Sequence, residues 1–251
     1  MKIIKYRDIL SKRGRRPQPI HGQPDVVLPE ASSQKFAEKT KFHKVLVKKN
    51  LETIKNIIAN HGIIIYPTDT LYGIGGNFFS LQVVEKIDAL KNRRDMPYSV
   101  IVPGLDMLRE LVDHVPEVFT VIYEKLLPGK FTFLFKVSKS IDPALVKGRD
   151  KIGIRIPNVP DMLKLVEILN VPLISTSVNR SGEPPLNDPA AIIEQFTTID
   201  PDYGPSLLLD AGPLPDSKGS TILDLTQTPV KCIRKGDDFN HLKKISLEII
   251  S

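Results

Sequence analysis

Three short stretches of the chain gather residue types that hold anions. Residues 173–182 run from an apolar strand into Ser175, Thr176, Ser177, Asn179, Arg180 and Ser181, so hydroxyl and amide donors stand where a buried strand stops. Lys91-Asn92-Arg93-Arg94 adds cations spaced for phosphate contact, and Pro67-Thr68-Asp69-Thr70-Leu71-Tyr72-Gly73 sets hydroxyls, a carboxylate and a glycine behind another apolar run. Arg155 lies alone among apolar residues in Ile152-Gly153-Ile154-Arg155-Ile156. Its charge cannot be shed by a pKa shift, so it requires an anionic partner, either a structural Asp or a substrate carboxylate. Two of these stretches also have a plain structural explanation, a Ser/Asn-rich turn for the first and the helix dipole for the second. Their occurrence in one chain points to an anion site.

The elements that must position these residues alternate between periods of two and of about 3.6. Leu51, Ile54, Ile57 and Ile58 fall at helical spacing after a strand-like Val45 and Val47, and His61-Gly62 ends that helix. Strands are expected at 63–66, 98–102, 131–137, 152–156, 171–174 and 206–210, with 219–225 pairing with 230–236. Residues 68–76 read as a glycine-rich loop at a strand end, where ligands bind in α/β sheets. Ser80 caps a helix that buries Val83, Val84, Ile87 and Leu90; further helices are expected at 105–112, 116–126, 161–169, 190–196 (capped by Asp188) and 242–250. No internal repeat, Walker loop, Rossmann fingerprint or Gly-x-Ser-x-Gly elbow occurs.

Composition bounds the rest. With 41% hydrophobic and 25% charged residues over 251 positions, the chain reads as one globular domain. It contains no run of about 18 apolar residues, and its N-terminus is basic rather than apolar, which predicts a cytoplasmic protein with no membrane span. The single cysteine, Cys232, reads as a packing residue, and the five histidines show no metal-ligand spacing, so no protein metal site is expected. Residues 1–50 hold thirteen Lys or Arg against four Asp or Glu, a net of +9, so an overall +6 leaves −3 on the other 201 residues. The basic character belongs to the N-terminal segment. Residues 1–42 therefore read as a basic arm, either loosely docked or touching RNA phosphates, and 43–251 as the folded domain.

The motifs 67–75, Lys91-Asn92-Arg93, Pro128-Gly129 to Thr132, Gly153-Ile154-Arg155-Ile156-Pro157, Ser177-Val178-Asn179-Arg180-Ser181-Gly182, Gly219-Ser220-Thr221 and Ile233-Arg234-Lys235-Gly236 occur in an order that resembles the YrdC-like family, over roughly residues 43–240. That family includes L-threonylcarbamoyl-AMP synthase. The resemblance implies an α/β fold, a single twisted, mostly mixed sheet flanked by helices, with a concave basic pocket. It implies a nucleotidyltransferase that joins L-threonine, bicarbonate and ATP into threonylcarbamoyl-AMP and pyrophosphate for t6A modification of tRNA. Mg²⁺ would accompany the ATP, and a tRNA threonylcarbamoyl transferase would take the product. Carried across by motif, Thr70, Arg155 and Ser220 would hold threonine; Lys91, Arg93, Ser177, Asn179 and Arg234 would bind ATP, with Lys91 and Arg93 acting in catalysis.

The chain departs from the family pattern at Gly219, where many members have Glu, and at Pro185-Leu186-Asn187, where a Ser-Pro-Thr style loop is common. Lys151 replaces a common Thr and Ile101 an occasional His, and no counterpart of the additional C-terminal domain of the longer synthases is expected. Two other readings stand beside the synthase: an RNA-binding maturation factor using the same basic concavity, and a nucleotide-binding paralogue that makes another adenylate.

Overall fold

Ile63, Ile64, Ile65 and Tyr66 are all fully buried, which a strand achieves only when both of its faces are covered. Ile63 and Ile65 join a large apolar cluster with Ile74, Val83 and Ile87, whereas Ile64 and Tyr66 join a second one with Ile54, Ile58, Leu165 and Leu207. The computed structural model describes residues 1–9, 48–92, 97–197, 199, 203–244 and 249–250. Its strands are β1 (Lys2–Lys5), β2 (Ile64–Pro67), β3 (Tyr72–Gly75), β4 (Ser99–Ile101), β5 (Phe131–Lys136), β6 (Lys151–Arg155), β7 (Leu173–Ser177), β8 (Leu207–Asp210), β9 (Thr221–Asp224), β10 (Val230–Arg234) and β11 (Ile249–Ile250). They form one mixed sheet in the order β1-β8-β2-β3-β7-β4-β6-β5-β9-β10-β11.

Helices α1 (48–59) and α5 (Pro160–Leu169) cover one face of the sheet with Ile54, Ile58, Met162, Leu165 and Val166. On the other lie α2 (Leu81–Lys91), α3 (Leu105–Leu111), α4 (Val118–Leu126) and α6 (Pro189–Thr197). The two layers are unequal in reach. Along β5, Phe131, Phe133 and Phe135 pack under the larger layer, but Thr132 and Leu134 turn to the opposite face, where they line a cavity. On β6, Ile152 and Ile154 point inward while Lys151, Gly153 and Arg155 line that same cavity. Among the described residues, half the sheet therefore has one face without a helix on it.

Three sequence expectations change. Residues 68–76 are not one loop: Tyr72–Gly75 returns antiparallel to β2 with Pro67 opposite Tyr72, because the Thr68 hydroxyl closes the turn by donating to the Leu71 carbonyl at 2.7 Å. The start of the basic arm is part of the sheet, since Lys2–Lys5 pairs parallel with β8, Ile4 is buried and Lys5 bonds the Asp210 carboxylate. Residues 10–47, including the strand expected at Val45 and Val47, lie outside the described residues. At the C-terminus a 3₁₀ turn, Phe239–Lys244, precedes β11, which pairs parallel with β10; a short isolated helix is marginal, and the β10 edge offers backbone partners instead. Among the described residues no helix is long and apolar enough to cross a membrane.

Strand β7 joins the halves, pairing with β3 through Ser177 and Thr176 and with β4 through Leu173, Ile174 and Ser175. The close approach requires glycine at 75, where a Cβ would lie 1.6 Å from the Ile174 carbonyl oxygen. Gly75→Ala is expected to cost about 1–3 kcal/mol and lower Tm by about 2–10 °C, read by thermal unfolding; an unchanged Tm would show that the two strands part without cost.

Candidate functional site

The bare face encloses a hollow of about 790 Å³, within the range of small-molecule and cofactor sites. Its floor is β5, β6 and β9; the turn at 70–73, the end of β7 and the 217–220 loop form its walls. Among the described residues, Arg149, Lys151, Arg155, Lys218 and Arg234 line it against one carboxylate, Asp150, so their field favours an anion.

Arg155 ends β6 with 8% exposure. Its Nη2 donates to Asp69 Oδ1 at 3.0 Å and to Thr70 Oγ1 at 3.1 Å, while Asp69 Oδ2 accepts the Asn158 backbone N–H at 2.8 Å. One carboxylate thus ties the turn after β2 to the strand end that carries the arginine. Arg155 Nε is buried without a hydrogen-bond partner. Burial pulls this guanidinium below its ordinary value, opposed by Asp69 and Tyr66.

Opposite stands Arg234. Its Nε and Nη2 donate to the Ser220 carbonyl at 3.0 and 2.8 Å, and Nη2 also reaches Ser220 Oγ at 3.1 Å. Ser220 Oγ is 2.7 Å from Thr132 Oγ1. The register of β10 shifts between Cys232 and Arg234, and this bulge lets Ile233 and Arg234, adjacent in sequence, both reach the cavity wall. Burial lowers the Arg234 pKa first and the Arg155 charge second. Arg155 and Arg234 both line the hollow, and among the described residues Arg234 has no carboxylate partner within ion-pair distance. Asp237 shapes the wall beneath it, accepting from Ser217 Oγ at 2.7 Å and the Lys218 backbone N–H at 3.0 Å.

At the end of β7, Ser177 lines the cavity. Lys91 and Asn179 do not: Lys91 is 3% exposed and donates to Ser177 O at 2.7 Å, Asn179 O at 3.0 Å and Asn179 Oδ1 at 2.7 Å. Each such charge-assisted bond contributes about 1.5–3 kcal/mol. Arg93 lies outside the described residues. Of the residues expected in the site, Thr70, Arg155, Ser177, Ser220 and Arg234 meet at one hollow, with Lys91 and Asn179 a layer behind.

What this hollow belongs to is decided by comparison of the whole domain. The Sua5/YciO/YrdC family model, described as telomere recombination, matches residues 56–236. The chain belongs to this family. It is similar to a putative threonylcarbamoyl-AMP synthase of Methanocaldococcus jannaschii, 34% identical over 192 residues, covering 75% of this chain and 86% of the relative. The threonylcarbamoyl-AMP synthase of Pyrococcus abyssi is 28% identical over 176 residues, 69% of this chain, and the match spans only 50% of that relative's length. Among solved structures, P. abyssi Sua5 complexed with L-threonine superposes with a TM-score of 0.71 at 25% identity, over 80% of this chain and 58% of that one. Escherichia coli YciO follows at 0.66 and 26%, over 75% and 90%. The single mixed sheet flanked by helices is the fold of these family members.

Several lining residues have no motif to announce them. Arg149 and Lys218 reach the cavity only through the fold, and Tyr98 is held at its wall by Asp88, whose Oδ1 accepts from the Tyr98 hydroxyl and from Lys147 Nζ, each at 2.5 Å. Lys147 also sits 4.9 Å over the Tyr98 ring. Lys151 pairs with Asp224 at 2.8 Å. Burial works against the Asp224 charge, but Lys151 and the Thr226 hydroxyl and N–H hold its carboxyl below the ordinary 3.8. A depressed folded pKa gives stability that is full above the ordinary value and lost as pH falls through the folded one. Asp224→Asn is therefore expected to cost about 1–2 kcal/mol at neutral pH, with the difference shrinking below about pH 4, in urea titrations compared across pH; a pH-independent difference would assign the loss to packing.

Proposed function

We propose that this chain is an L-threonylcarbamoyl-AMP synthase, condensing L-threonine, bicarbonate and MgATP into threonylcarbamoyl-AMP and pyrophosphate. The observation that carries the reading is the paired guanidinium arrangement, with Arg155 fixed by Asp69 and Thr70 and Arg234 facing it from the opposite wall. The reaction brings together a carboxylate and a polyphosphate, two anions that have to be held side by side. Relatives that bear the synthase name, and a relative solved with L-threonine, support it.

Arg155 takes the threonine carboxylate through its Nη1 donors, which have no protein partner among the described residues, and Thr70 and Ser220 supply hydroxyls around the amino acid. Arg234 and Ser177, backed by Lys91 and Asn179, meet the nucleotide phosphates, and Arg93 adds charge from the segment that follows α2. The threonine amine attacks the bicarbonate carbon and water leaves, giving a carbamate. A carbamate oxygen then attacks the α-phosphorus of ATP, and the α–β bridging oxygen leaves with pyrophosphate. No enzyme nucleophile is required; positioning and charge neutralisation by the arginines and by Mg²⁺ carried on ATP do the chemistry. The mixed anhydride is hydrolytically labile, so its use falls to a tRNA threonylcarbamoyl transferase acting soon after release.

Pyrophosphate and AMP released from ATP with bicarbonate should require threonine. Arg155→Lys, which keeps the charge but not the planar fork, should raise the threonine KM about tenfold or more, and Arg93→Ala should lower turnover without moving the unfolding midpoint. Pyrophosphate release indifferent to threonine would overturn the assignment, and RNA binding in its place would favour a maturation factor.

A further inference from the structure

The ammonium of a lysine has three N–H donors, and those of Lys91 point at three oxygens of one turn, two carbonyls and the side-chain oxygen of Asn179. The turn is tied back to the same residue, since the Ser181 backbone N–H donates to the Lys91 carbonyl at 3.0 Å. Asn179 extends the wiring: its Oδ1 accepts from Ser177 Oγ at 2.6 Å, and its Nδ2 donates to the Glu183 carbonyl at 2.6 Å. Ser177 is the member of this group that faces the cavity and also pairs with Gly73 of β3. Lys91 is the last residue of α2, buried, and absent from the cavity wall.

We infer that Lys91 is a positioning residue: it acts on the reaction by fixing the 177–183 turn, and hence the Ser177 hydroxyl, and does not itself touch phosphate. To reach a phosphate its ammonium would have to leave three oxygens for one ligand group, and the turn would lose its central donor in the same movement. The kinetic part of this inference rests on the synthase reading; the structural part does not.

Two measurements separate them. In the ligand-free protein, hydrogen exchange of the Ser181, Glu183 and Leu186 amides should quicken at least tenfold in Lys91→Met while the β5 amides stay as in the parent; unchanged exchange in the turn overturns the inference whatever the protein catalyses. Should Lys91→Met fail to fold, Asn179→Leu, which keeps the ammonium and removes its side-chain acceptor, is read the same way, and an undisturbed turn there overturns it as well. In the active enzyme, kcat/KM for ATP in the Lys91→Met, Asn179→Ala double variant should match the worse single variant, and the salt dependence of the ATP KM in Lys91→Met should equal the parent's. Multiplying losses with a weaker salt dependence would make Lys91 a direct phosphate contact. A parent protein without threonine-dependent pyrophosphate release removes the synthase reading and leaves the exchange result to decide the role of Lys91.

Discussion

A guanidinium at the end of a strand whose far face is sealed by helices has to be given a counter-charge, and here Asp69 supplies it. The Arg155–Asp69 pair is nearly closed to solvent on both sides, with side-chain exposures of 9% and 7%. A pair so placed adds little net stability, because desolvation offsets most of the attraction. Its effect is geometric. Asp69 bonds Arg155 with one oxygen and the backbone after β6 with the other, so the turn from β2 to β3 cannot shift without exposing a charge. The turn that carries Thr70 and the end of β6 that carries Arg155 are held together by that one carboxylate.

The rest of the hollow is built by the same economy of backbone contacts. Ser220 lends its carbonyl to Arg234 and its hydroxyl to Thr132, and Asp237 gathers the loop that precedes it. Among the described residues Asp69 is the one carboxylate paired with either Arg155 or Arg234, so an excess of positive charge is left where a ligand would lie. Such a field is preorganised: its dipoles are oriented before any anion arrives.

Much of this could be read from residue order. The alternation Phe131-Thr132-Phe133-Leu134-Phe135 states that β5 has one aromatic face and one other, and the lone Arg155 between isoleucines announces a charge needing a partner. Which partner it had was open, and Asp69, already among the quoted motif residues, proved to be it. Lys91 was harder, since a lysine at a helix end looks the same whether it faces solvent, a ligand or a turn 86 positions away; only the burial of its ammonium against Ser177 and Asn179 distinguishes these. The first strand was hidden for another reason: two lysines in four residues mask the single buried Ile4 that docks it, and its parallel partner lies some 200 positions downstream.

The bulge in β10 has a consequence for how this domain can vary over evolutionary time. With one extra residue between the Cys232 and Arg234 pairings, both Ile233 and Arg234 reach the ligand side; the same residues paired without the bulge would set Ile233 opposite Ile222 and turn the arginine to the other face. Insertions and deletions should therefore accumulate in the 211–218 connection and be purged from the short span between Thr221 and Arg234, making segment length there as telling a mark of kinship as residue identity.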